Sequence, residues 1–272
     1  MLPELDQSQF ATIRPLVSGL AHRPAVEAVI AGTCAGRVFV DNLAQPNSCF
    51  IWERPGIYYV AGRETNEEFN SDLSALFTTA IIPSKPEAYW GYICPGSSAW
   101  GQVIPSLVPT RTHKRTCFVM PPAEAPAGLD ARAVVHRGFR IQPVTEDLLT
   151  SSLVNIEGLR AELNHMWVSP AAFFRWSFGV CITCGDELAS WCLAEYISQG
   201  SCGIGIETVK DFQRQGLATA AASVLVGRAV REGFTVHWDT SSSNQASQAV
   251  ARKLGFPREL EYEVLSFHYG GS

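Results

Sequence analysis

"ETVKDFQRQGLATAAASVLVGRAVREG", residues 207–233, joins the end of an apolar run to a long alanine-rich segment through a short polar break. After Gly216 the apolar residues fall at Leu217, Ala218, Ala221, Ala222, Leu225, Val226, Ala229 and Val230, the spacing of one helical face. A strand therefore ends at Thr208, a tight loop carries "VKDFQRQG", and a helix starts near Gly216. The first N–H groups of a helix have no partner within it and sit at the positive end of its dipole. Glycine at that point lets a ligand come close, so the arrangement suits a phosphate or diphosphate. The pattern alone is weak, because a tight turn that needs glycine explains it equally well.

The flanking segments extend the reading. Upstream, "FGVCIT", a "CGDE" turn, "LASWCLAEYIS", a "QGS" turn and "CGIGIET" form a three-stranded meander whose last strand runs into the loop. Downstream come a strand "FTVHWDT", a helix "NQASQAVARKLGF" and a final strand "ELEYEVLSF". Ahead of the meander, "GFRIQPVT" reads as a short strand. Thr145 fits the N-cap of one helix over "EDLLTSSLVNIEGLRAELNHMW", and Ser169 with Pro170 repeats the start signal for "AAFFRW". This order predicts an α+β class: a mixed, largely antiparallel sheet with flanking helices.

"MPPAEAPAGLDARAVVHRG", residues 120–138, is rich in Pro, Ala and Gly and reads as a linker. The boundary is placed at 130, giving domains over 1–130 and 131–272. In the smaller α+β N-terminal domain, "FATIRPLVSGLA" and "PAVEAVIAG" read as helices. "GRVFVDNLAQPNSCFIWERPGIYYVAG" reads as a meander with Asn/Pro and Arg-Pro-Gly turns, and "NEEFNSDLSALFTTAII" as a helix. Trp90 and Trp100 follow in a stretch broken by Gly and Pro. This half carries no nucleophile, metal or phosphate signature.

A net charge of −5 argues against a nucleic-acid partner, which calls for a basic face. No uninterrupted apolar run reaches the ~18 residues of a membrane span, and "MLPELDQSQF" has no basic n-region. The expectation is a cytoplasmic protein without a membrane partner. Cys117, Cys181, Cys192 and Cys202 lie in apolar runs, where free cysteine packs as a small hydrophobe. Alternation along a strand sends Cys181 and Cys184 of "CITC" to opposite faces, and no second pair completes a metal site.

"QRQGLA" resembles the Q/R-x-x-G-x-G/A signature of the GNAT superfamily of acyl-CoA-dependent N-acyltransferases. "NQASQAVARKLGF" resembles its later motif, an Asn followed at the proper distance by a "KLGF" ending. Within the superfamily, "FGVCI", "SWCLAEY", "GIGIET", "QRQGLAT" and "HWDT" look like the branch of the zwittermicin A resistance protein. "VFVDNLAQPNSCFIW" and "GIYYVAG" fit it more loosely, and the first half could be a degenerate copy of the same fold.

The resemblance implies acetyl-CoA at the end of the strand "GIGIET". Backbone groups of Ile206, Glu207 and Thr208 would pair with the pantetheine arm. The loop from Gln213 through Arg214, Gln215, Gly216, Leu217 and Ala218 to Thr219 would hold the diphosphate. Asn244 and Ser247 would lie near the thioester, although an ordinary helix N-cap also explains Asn244. The tyrosine that usually serves as general acid in the superfamily falls at Ala251, so protonation of the thiolate is left to solvent, Ser247 or another residue. Asp239, at the end of "TVHWD", and Glu207 are the candidate bases, each with a structural reading beside it: a loop cap for Asp239 and a strand-end hydrogen bond for Glu207. Cys202 is read as packing, and His237 as a core histidine.

The implied activity is acetyl transfer to a primary amine of a small polar molecule, with antibiotic resistance or self-protection as a setting. The N-terminal domain would wall the acceptor site. A catalytically silent acyl-CoA sensor and a protein or peptide N-acetyltransferase are the rivals, and the chain could be a monomer or a homodimer.

Overall fold

The computed structural model describes residues 1–53, 56–85, 89–130 and 133–269. Two compact units divide it: Met1–Arg115 with Glu261–Ser272, and Thr116–Leu260. The division thus falls inside a strand, not at 130, and the end of the chain belongs to the first unit. The reason lies in the supposed linker. Leu129 is buried and its carbonyl accepts a hydrogen bond from Ser223, Asp130 pairs with Arg231, and Gly227 leaves the room that Asp130 occupies. Residues 131 and 132, where the second domain was expected to begin, lie outside the described residues.

The first unit opens with short 3-10 turns at Gln7–Ile13 and Ser18–Leu20 where an α-helix was expected. Pro15 between them has no N–H to give an α-helix. Helix α1 (Pro24–Ala31) starts on proline and ends on a left-handed Gly32. Strands β1 (Gly36–Val40), β2 (Ser48–Glu53) and β3 (Ile57–Gly62) form the expected antiparallel meander. Arg54 and Pro55 of its second turn lie outside the described residues. Helix α2 (Glu67–Leu76) follows, running on into a π turn. The Trp90 and Trp100 stretch, in which no element was expected, supplies β4 (Trp90–Pro95), parallel to β3, and α3 (Ser98–Leu107), capped by Ser97. Residues 265–268 of β11 (Arg258–His268) complete this sheet against β4.

The second unit orders its strands β5-β10-β9-β8-β7-β6. These are β5 (Arg111–Met120), shared with the first unit, then β6 (Phe139–Pro143), β7 (Gly179–Cys184), β8 (Glu187–Ser198), β9 (Ser201–Thr208) and β10 (Thr235–Ser241). Strands β6 to β9 pair antiparallel, and β9 and β10 are parallel. The single helix expected over 146–167 is two, α4 (Glu146–Thr150) and α5 (Ile156–Met166). A bridge from Val154 to Glu187 and a left-handed Asn155 separate them. Thr145 and Ser169 cap α4 and α6 (Pro170–Trp176) as predicted. Helix α7 (Leu217–Arg231) lays Ala220, Ala221, Leu225 and Val226 on one face of the sheet, against Ile182, Cys192, Ala194 and Trp238. The other face receives α5 and α6 through Leu159, Leu163 and Phe173, against Cys181, Trp191 and Leu193. Helix α8 (Gln245–Leu254) ends on a left-handed Gly255.

The two units share an element order: meander, helix, strand parallel to the last, helix. Their boundary has a consequence for dissection. A fragment of residues 132–272 removes Phe118, Met120 and Leu129 from the core of the second unit. It should therefore show no cooperative thermal transition by circular dichroism, and a melt like that of the whole chain would contradict this assignment of the core.

All eight cysteines are free, six buried and two, Cys34 and Cys184, half-buried. Burial raises four of the buried thiols: Cys49 and Cys202 to about 12, Cys181 to about 11, and Cys192 well above the ordinary value. Thiolate is the reactive form, so Ellman's reagent at pH 8 should titrate two thiols quickly and all eight only in denaturant. Eight rapid thiols in the native protein would contradict the packing described.

Candidate active site

Strands β9 and β10 part company. Their paired residues run from Thr235↔Ser201 to His237↔Gly203 and stop there, although β9 continues to Thr208 and β10 to Ser241. On its other edge β9 remains paired with β8 as far as Ser190↔Thr208. Along an antiparallel strand the backbone groups alternate between the two edges. The Val209 N–H bonds the Ala189 carbonyl, and the Glu207 carbonyl accepts from Ser190 Oγ at 2.7 Å. Ile204, Ile206 and Thr208 therefore present their backbone groups to the gap, whereas Glu207 turns its own toward β8.

The N-terminus of α7 faces the same gap. Gly216 is the N-cap, left-handed at φ 80°, with no side chain capping the helix. The first intrahelical bond is Ala220 N–H to the Gly216 carbonyl, so the N–H groups of Leu217, Ala218 and Thr219 lack helical partners. Arg214, also left-handed, precedes them. A cleft of about 520 Å³ opens here. Ile206, Glu207 and Thr208 line one side, and Gln213, Arg214 and Gly216 to Thr219 line the end, with Asn244 and Ser247 opposite. Gln215 is not among the lining residues.

Several side chains have structural duties. Gln213 Nε2 donates to the Thr208 carbonyl at 3.1 Å, tying the loop to the strand and occupying a group expected to meet a ligand. Asn244 caps α8 through the Ser247 N–H at 3.1 Å and also faces the cleft. Ser247 Oγ accepts from Trp238 Nε1 at 2.9 Å, which leaves its own O–H to donate. Trp238 is thus the cleft-facing member of the His237–Trp238 pair, and His237 is buried. Lys253, which sequence reasoning did not single out, lines the cleft from the last turn of α8. With Arg214 and the α7 dipole it gives this end a positive character in an acidic chain. Ala251 is fully buried in α8 and supplies no acid.

Of the two candidate bases, Glu207 lines the cleft and Asp239 does not. Ile204 and Ile206 pack with α7, so Gly203, Gly205 and Glu207 take the face toward α5. By the same alternation Asp239 is opposite to Trp238; it does not line the cleft. Glu207 is exposed. Sequence reading missed Glu162 of α5, whose Oε2 accepts from Trp191 Nε1 and whose Oε1 lies 3.0 Å from where a Cβ on Gly205 would sit. Burial holds its carboxyl above the ordinary value; the Trp191 bond opposes this and Glu207 adds to it. The available signal was a glutamate flanking the apolar stripe Ile156, Leu159 and Leu163. Among the described residues no group of three His, Cys, Asp or Glu side chains could hold a metal ion. No described helix is long and apolar enough to cross a membrane.

The matching place in the first unit is shut. Strands β3 and β4 stay paired through Val60↔Pro95, and the Gly96 N–H closes on the Val60 carbonyl at 2.7 Å. The N-terminus of α2 is capped by Asn66 and carries Glu67 and Glu68 in its first turn, which disfavours an anion.

Solved structures share this fold over nearly the whole chain. A GCN5-related N-acetyltransferase-like protein from Streptococcus suis 89/1591 matches with TM-score 0.71 at 18% identity, over 95% of this chain and 98% of its own. A tandem GNAT protein from the clavulanic acid biosynthesis pathway matches with TM-score 0.61 at 11% identity, over 100% and 99%. An uncharacterized N-acetyltransferase of Bacillus subtilis (strain 168), YdfB, is 23% identical over 273 residues, spanning 100% of this chain and 99% of its own. The GNAT acetyltransferase family model matches residues 14–265. The chain belongs to that family, and it is an acetyltransferase.

Proposed function

We propose that the protein transfers an acetyl group from acetyl-CoA to a primary amine of a small polar molecule. The observation that carries this is the uncapped start of α7 beside the parted strands β9 and β10. Leu217, Ala218 and Thr219 offer N–H groups to a diphosphate, with Arg214 and Lys253 supplying positive charge. Ile206 turns its backbone groups into the gap, where an extended amide-bearing arm adds like a strand. Acetyl-CoA supplies an activated acyl group as a thioester; the chain's part is to fix that group and to accept a proton from the amine. The carboxylates of Glu162, Glu195 and Glu207, gathered on the α5 face of the second unit, suit a cationic amine as the acceptor.

The resemblance to the zwittermicin A resistance protein supports including aminopolyol antibiotics among the amines tested. Release of free thiol from acetyl-CoA across a panel of primary amines, with acetylated product identified by mass spectrometry, tests the proposal. Thiol release that depends on one class of small amine supports it. Release only with peptide amines would move the acceptor to proteins, and tight coenzyme A binding with no turnover would favour the silent sensor, for which the absence of a tyrosine at 251 already speaks.

A further inference from the structure

We propose that Glu162 is the general base of the acetyl transfer, taking the proton from the attacking amine beside Gly205, where β9 and β10 begin to part. The inference rests on the acetyl-transfer reading above. A diphosphate at the start of α7 fixes one end of the donor, next to the end of β9. The arm then runs back along β9 toward the point where the pairing with β10 resumes, at Gly203↔His237. The reactive thioester therefore comes to rest near residues 203–206.

The side chains around that point are arranged for a close approach. Gly203 and Gly205 leave the α5 face of β9 bare. A Cβ on Gly205 would run into the Glu195 carboxylate and would lie 3.0 Å from Glu162 Oε1. Of the two Glu162 oxygens, Oε2 is held by the Trp191 indole N–H, while Oε1 turns toward Gly205. One oxygen is thus anchored and the other presented, as a positioned base requires. Glu207 is exposed, and among the described residues its carboxylate has no such anchor. Burial makes Glu162 a stronger proton acceptor than an exposed carboxylate. In the step itself the amine nitrogen forms a bond to the acyl carbon and the carbon–sulfur bond breaks. The proton on nitrogen passes to Glu162 Oε1, and the departing thiolate takes a proton from water.

Bromoacetyl-CoA tests this without knowledge of the acceptor. Its reactive carbon sits beside the thioester carbonyl, and a carboxylate within reach displaces bromide to form an ester. The expected result is one label per chain on the peptide bearing Glu162, suppressed by excess coenzyme A. Glu162→Gln should lose the label while binding coenzyme A within twofold of the parent. An ester on Glu195, Glu207 or Asp239, a thioether on a cysteine, or no label despite competition by coenzyme A would overturn the assignment. Failure of coenzyme A to bind at all would instead remove the acetyl-transfer reading on which it rests. With the best amine of the panel, Glu162→Gln should lower kcat at least a hundredfold with the KM for acetyl-CoA unchanged, and Glu162→Asp should recover part of it. An unchanged kcat would overturn the role.

Discussion

Gly216→Asp should weaken coenzyme A binding by roughly ten- to a thousandfold, about 1.4–4 kcal/mol, while leaving the protein folded. A Cβ on Gly216 would meet nothing within 4 Å, because the space beside it is the cleft. The left-handed φ of 80° strains a side chain, but aspartate tolerates that region better than most residues. Aspartate is also a favoured N-cap, so its carboxylate would satisfy the N–H groups that α7 otherwise leaves open. The substitution therefore supplies an internal anion where the diphosphate would sit. Calorimetry should show the loss of affinity and a thermal melt should show little change. Wild-type affinity in a folded Gly216→Asp protein would contradict the placement of the donor. Gly216→Ala, which adds the strain but no charge, should lose much less.

Glu162→Gln should cost roughly a hundred- to ten-thousandfold in kcat, the range that a positioned base contributes, and should raise the melting temperature at pH 8. The second effect follows from the sign of the shift. Burial raises the folded carboxyl above its unfolded value, with Glu207 on β9 and Glu195 on β8 as the acidic neighbours. A group shifted upward stabilises the fold below its unfolded pKa, and that stability is lost as pH rises through the folded pKa. Glutamine keeps an oxygen for the Trp191 N–H and never ionises. Activity should accordingly fall as pH drops through the raised folded pKa of Glu162, the same range in which the stability gap between parent and variant narrows. A variant that is both less stable at pH 8 and fully active would leave Glu162 as a packing residue.

The stretch around Gly216 was legible because its signals are local. A 3.6-residue apolar stripe, a glycine at the turn and Asn244 at an N-cap each act within a few residues. The same holds for the meander of β7 to β9 and the caps at Thr145 and Ser169. The misreadings are contacts distant in sequence. The segment 120–138 has the composition of a linker, yet Leu129 and Asp130 pack on α7 about a hundred residues later. Strand β11 returns residues 265–268 to β4, which no local pattern announces. Glu162 escaped notice because only the fold brings it over Gly205 and under the Trp191 indole. Conversely, Gln213 and Asn244 match the family motif, yet their side chains also hold Thr208 and cap α8.

The central claim is that an acyl-CoA lies between β9 and β10 against the start of α7, and in the second unit alone. Amide resonances followed during a titration of the whole chain with coenzyme A test it most directly. The account predicts the largest shifts at Gly216, Leu217, Ala218 and Thr219, saturating at one coenzyme A per chain, with residues 62–69 at the start of α2 unmoved. Shifts centred on residues 62–69, or saturation with the 216–219 amides unchanged, would contradict it.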